Sequence, residues 1–147
     1  MKDIIKIARI GIFVFLMTLA NYASAQVYKF QTTGFSVLEK NERGKWGKWS
    51  DLQKAEIVIT LDTNKNRIIV YSQEIQLYKI LSYGEKEEND NDIIYTFQCA
   101  DNDGLEFTIA IITRKNQGNR KQLYLNQKDV IVVYNIENLP DKEPNSR

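Results

Sequence analysis

Two tryptophans, Trp46 and Trp49, stand three positions apart in RGKWGKWS (43–50), each preceded by Gly and Lys. Indole rings in so polar a stretch suit stacking on a sugar face or anchoring a protein partner, because they offer a large contact area and lose little side-chain entropy. The structural alternative is a ring that closes the bottom or seam of a small β core. At a spacing of three in an extended chain the two rings point to opposite faces. One is therefore expected to pack and the other to be open to a ligand, so Trp46 and Trp49 are the candidate ligand-binding residues.

The other reactive side chains exclude more than they include. The chain has no histidine, which removes Ser-His and Cys-His nucleophile pairs and His-ligated zinc or copper. Cys99, the single cysteine, sits beside Phe97 on an alternating apolar run, where a thiol is normally an inert filler. A glycosidase-like carboxylate pair needs no histidine. Its candidates, Asp101, Asp103 and Glu106, border "NDG", however, and that is the ordinary material of a tight turn. A calcium loop is also tested and fails: "DTNKNR" (62–67) starts correctly but carries Arg67 where glycine is required and Gln73 where the bidentate glutamate belongs. The acidic loop "GEKEENDND" (84–92) reads as a solvated charge run; weak calcium binding there is left open. No catalytic residue, metal ligand or cofactor is expected, and the chain is not expected to be an enzyme.

Residues 1–25 read as an export signal. Lys2, Lys6 and Arg9 precede an apolar run from Ile10 to Ala20, and Ala23-Ser24-Ala25 offers a small-residue cleavage site before Gln26. The uncharged stretch is shorter than the roughly 20 residues of a membrane-spanning helix, and no cysteine stands at the cleavage point for lipid attachment. A periplasmic or secreted protein is expected, with no membrane insertion after cleavage. Without Lys2, Asp3, Lys6 and Arg9, the 20 basic and 19 acidic residues become 17 and 18, a net charge of −1. Such a balance gives neither the counterion-releasing grip on nucleic acid nor a polybasic membrane signal.

The elements that must position these residues are strands. From Gln26 to Ile136 short runs rich in Ile, Val, Tyr, Phe and Thr alternate in polarity and are broken by polar turns. Short links imply antiparallel hairpins. The expected fold is all-β: an antiparallel meander of about 8–10 short strands that closes into a barrel or barrel-like sandwich, which hides sheet edges and encloses one core. The domain is expected over 26–138, with a disordered tail over 139–147. Ile57, Leu77, Phe97, Phe107 and Val132 are expected to meet in that core. Gly34 marks a bend in the first strand-like segment, and "SDLQKAE" (50–56) is the best short-helix candidate. Because links in a meander alternate between ends, "DTNKN" (62–66), 82–92 and 114–121 should share one end, which then has the long loops. The opposite end receives the tight turns. A separate strand over 46–50 would bring the Trp-bearing turn to the long-loop end too. The basic loop "RKNQGNRK" (114–121) and the acidic loop 84–92 are expected to attract each other there.

"GKW" (44–46 and 47–49) resembles the G-x-W element of lipocalins, where the tryptophan plugs one end of a barrel. The mature chain as a whole is similar to small uncharacterised secreted β-rich proteins of Bacteroidota-type bacteria. The shared features are a signal ending in alanine before Gln26, "GKWGKWS", "IVITLDTNKNRIIVYS" and "FQCADNDGLEFTI". The resemblance implies a compartment and a fold class and transfers no activity. The expected function is a non-enzymatic binding protein that engages an apolar or saccharide-like small ligand, or an envelope protein's surface, at its long-loop end. The alternative is an interaction or envelope-structural module with a filled core.

Overall fold

The computed structural model describes residues 26–140. The expected signal segment and residues 141–147 of the expected tail lie outside them. The alternating runs form β1 (Val27–Glu39), β2 (Gln53–Lys54), β3 (Val58–Asp62), β4 (Arg67–Tyr71), β5 (Ile75–Tyr83), β6 (Glu87–Glu88), β7 (Asp92–Ala100), β8 (Glu106–Arg114), β9 (Arg120–Asn126) and β10 (Val130–Asn138). Eight of them form a closed antiparallel barrel, in the order β10-β9-β8-β7-β5-β4-β3-β1, with β1 pairing back onto β10. The two-residue strands β2 and β6 attach to β1 and β7. Closure depends on the length of β1. Its first residues, Val27–Gln31, pair with β3, while Phe30–Glu39 pair with β10.

The bend expected at Gly34 is a bulge in this strand, where the pairing slips between Thr32 and Gly34. The segment after β1 then returns alongside it. A Cβ at Gly34 would lie 2.9 Å from the Gln53 carbonyl oxygen, so only glycine admits this approach. Thr32, fully buried, holds the returning chain: its hydroxyl donates to the Ala55 carbonyl (2.6 Å) and accepts from the Ile57 amide (2.9 Å). These bonds follow β1 rather than a helical ladder. Residues 50–56 accordingly form no helix, and β2 lies where the helix was expected.

Alternation places Phe30, Ile59, Leu61, Ile68, Val70, Ile80, Phe97, Cys99, Ile109, Leu123 and Ile136 in one buried cluster, against which Ile57, Phe107 and Val132 pack. Leu77 does not join it. In β5 the inward residues are Tyr78 and Ile80, and Leu77 faces the other way, half-buried. Both faces of "EIQLYKIL" carry apolar residues, so periodicity alone cannot choose between them. The choice is made by tertiary contacts. Tyr78 meets Phe107 edge-on at 5.0 Å and donates its hydroxyl to Gln76 Oε1 at 2.7 Å. Leu105 lies in the turn before β8 and is exposed.

Burial raises the proton affinity of the core groups Cys99, Tyr78 and Tyr134, and most for the first two. The Cys99 thiol is pushed from 9.0 to about 11 by desolvation. Desolvation, with smaller contributions from Tyr134, Asp101 and Cys99, pushes the Tyr78 hydroxyl from 10.0 to about 12. Both shifts favour the neutral form, so between the unfolded and folded values the native state binds more protons. Stability should hold up to about pH 9 and then fall as pH rises toward about 12, by about 1.4 kcal/mol per pH unit for each proton. Urea midpoints measured at about pH 8 and pH 11 check this. Cys99→Ala should flatten the lower part of the decline, and an unchanged wild-type midpoint would contradict the assignment.

Candidate functional site

The strand register sorts the loops by end. The turn 63–66, the segment 84–91 and the turn 115–119 lie at the end where β1 starts and β10 finishes; 72–74, 101–105 and 127–129 lie at the other. The expected gathering of these three links at one end is therefore present, but the longest connection, between β1 and β3, falls at the other end, so that end does not hold tight turns alone. Asp101 acts as a turn residue at the second end, its Oδ1 accepting from the amides of Asp103 and Leu105, both at 2.9 Å.

The tryptophans lie at that second end. Lys40, which follows β1, bonds to the Asp129 carbonyl through its amide and bridges to Trp46. Residues 46–50 make no separate strand, so the Trp-bearing turn is not at the long-loop end. Neither ring packs in the core: Trp46 is 44% and Trp49 46% exposed. An irregular edge laid outside β1 has no inward face, so the opposite-faces expectation for an extended strand fails here. The Lys40 ammonium lies 4.8 Å from the Trp46 ring centroid, a contact worth about 0.5–1 kcal/mol at an exposed site.

At the long-loop end the barrel is open. A chamber of about 400 Å³ enters it, floored by Phe30, Leu61, Phe97 and Ile111. Each floor residue is buried against the filled core below. Tyr28, Tyr83 and Tyr95 line its rim and are half-exposed. They occupy these positions because alternation continues past the core: Tyr28 is two residues before Phe30, and Tyr95 two before Phe97. Tyr83 joins them through a bulge in β5 between Ile80 and Ser82, which turns it toward Phe97 at 5.8 Å. The Tyr83 hydroxyl donates to Asn66 Oδ1 (2.7 Å), tying the rim to the turn 63–66. Burial pushes that hydroxyl above its ordinary value, with Cys99 and Asp62 adding to the shift.

Thr63, Thr113, Lys121 and Asn138 supply the polar part of the wall. Lys121 lies two residues before the buried Leu123, at an inward position of β9, and its ammonium donates to the Thr113 hydroxyl at 2.9 Å. Sequence reasoning located the loop end but missed these side chains. The available signal was an aromatic or long polar residue two positions beyond the last core residue of each strand.

The acidic and basic loops do attract, but as neighbours beside β7 and β8 rather than across the opening. Lys115 Nζ lies 3.1 Å from Glu88 and donates to the Asn89 carbonyl (2.8 Å), while Arg114 lies 3.2 Å from Asp92. The Lys115 hydrogen bond, then its charge and that of Lys86, hold the Glu88 carboxyl below its ordinary value. The Asp92–Arg114 pair continues on the outer wall, where Arg114 Nε reaches Gln122 Oε1 (3.4 Å) and Gln122 donates to Asn135 (3.2 Å). Among the described residues no three acidic or cysteine side chains gather as a metal site.

A chamber with an aliphatic and phenyl floor, a tyrosine rim and one ammonium can desolvate an apolar group and orient a polar one. No family model, curated protein or solved structure matches this chain.

Proposed function

We propose that this protein is a non-enzymatic binding protein that takes the apolar part of a small molecule into the chamber at its long-loop end. The observation that carries this is the chamber itself: about 400 Å³ bounded mainly by Phe, Tyr, Leu and Ile side chains, within the size and composition range of small-ligand sites. Three half-exposed tyrosines around one opening support it, since a filled barrel would gain by packing such rings inward. The export signal read in residues 1–25 fits a periplasmic or secreted binding protein. Trp46, Trp49 and the exposed Leu52 favour a second reading for the other end, a contact surface for an envelope partner.

The test is calorimetric titration with straight-chain alkanols of increasing length. Affinity should rise about fourfold for each methylene added until the chamber is full, because each buried methylene contributes about 0.8 kcal/mol. Absence of binding across the series would refute the proposal.

A further inference from the structure

The chamber adjoins a second cavity, and the two share a wall. Pairing between β9 and β10 stops at Lys121 and Ile136. Beyond that point Arg120 pairs only with β8, and Glu137 and Asn138 only with β1. The seam thus splays at the open end of the barrel. Over it lies a dent of about 520 Å³, lined by Asn119, Arg120, Asn135 and Glu137 among others, and Lys121 and Asn138 line both dent and chamber. An apolar compartment therefore borders a polar one, which carries two cations and one carboxylate, with Lys121 and Asn138 in the lining of both. Lys121 stands at the junction. The ion pairs among the described residues leave it without a carboxylate partner, and its one protein acceptor is Thr113. A half-buried ammonium beside an apolar floor is better solvated by an anion than by a hydroxyl alone.

We propose that the ligand is a single-chain amphiphile with an anionic head: the hydrocarbon chain lies on the Phe30, Phe97 and Ile111 floor, and a carboxylate or phosphate meets Lys121 where the β9–β10 seam opens, with Arg120 and the Asn138 amide beside it. The inference rests on the chamber being a ligand site. Glu137 sets the head group's limits, since it repels an anion placed toward the outer side of the dent and favours one kept at Lys121.

The experiment compares dodecanol, kept below its solubility limit, with dodecanoate and dodecyl phosphate, kept below their micellar concentrations, on the wild-type chain and on Lys121→Met and Lys121→Gln. An added charge-assisted hydrogen bond should make at least one anion roughly tenfold tighter than the alcohol. Added salt should narrow that gap. Both variants should erase the preference, read as the ratio of anion to alcohol affinity on the same variant, so that a change in alcohol binding itself cancels. Preference for dodecanoate identifies a fatty-acid-like head, and preference for dodecyl phosphate a lipid-phosphate one. Equal binding of alcohol and anions by the wild type, or a preference that survives both variants, would overturn the inference and leave the chamber reading standing. If no probe binds, the chamber reading itself falls. Thermal unfolding of each variant verifies that the barrel is intact, and measurable alcohol binding that still strengthens with chain length verifies the chamber.

Discussion

Replacing Ile111 by tryptophan is expected to reduce ligand affinity nearly a hundredfold while leaving the barrel folded. Ile111 lies in β8 on the chamber floor, 7% exposed, between the core residue Ile109 and Thr113 at the rim. An indole at this position grows into the open space above it. Excluding about three methylenes of ligand would forfeit about 2.5 kcal/mol of burial, which converts to nearly two decades in affinity. Overpacking costs about 1–3 kcal/mol of stability when a core is already full, and here the cost should lie at the low end because the added atoms enter a cavity. Titration with the longest alkanol bound by the wild type gives the readout. Retained affinity in a folded Ile111→Trp variant would place the ligand somewhere other than the chamber.

The largest effect on stability is expected one inward position deeper. Ile109 is fully buried and lies opposite Phe97 on one side and Leu125 on the other. Ile109→Ala removes methyl and methylene groups from a site ringed by strands on a closed sheet, where neighbours cannot collapse into the space. The cost should be about 2–5 kcal/mol, a large fraction of the roughly 5–15 kcal/mol that holds a domain of this size together. Chemical unfolding with a fitted midpoint and slope measures it. Leu77→Ala is the matched control, because Leu77 faces away from the cluster. Its cost should stay below about 1 kcal/mol. A Leu77 variant as damaging as the Ile109 variant would mean that β5 presents its other face to the core.

These two residues show where the sequence was informative and where it was not. Ile109 lies in "LEFTIAIIT", whose inward set Phe107, Ile109 and Ile111 was readable from alternation, because the intervening Thr108 and Ala110 are poor candidates for a core. In β5 alternation exists on both faces, and a single register step separates the two solutions. The bulge between Ile80 and Ser82 adds a second phase change that places Tyr83 on the inner side. No local pattern announces it. The tryptophans illustrate the reverse case: their type and spacing drew attention, yet the hydrogen bonds of Val37 and Glu39 to the returning segment lay both rings outside the wall.

By itself the sequence determined the all-β antiparallel class, the absence of imidazole chemistry, the bend at Gly34, the core role of Cys99 and the gathering of the links after β3, β5 and β8 at one end, since these follow from residue type, period and the alternation of hairpin links. Only the tertiary structure decided that β1 is long enough to bond β3 and β10 together and close the ring. It also decided that the core stops short of the rim, and that Lys121 and three tyrosines face the space left there. The reason is geometric. Which end of a barrel is filled depends on the stagger of eight strands relative to one another, a quantity that no single strand's pattern contains.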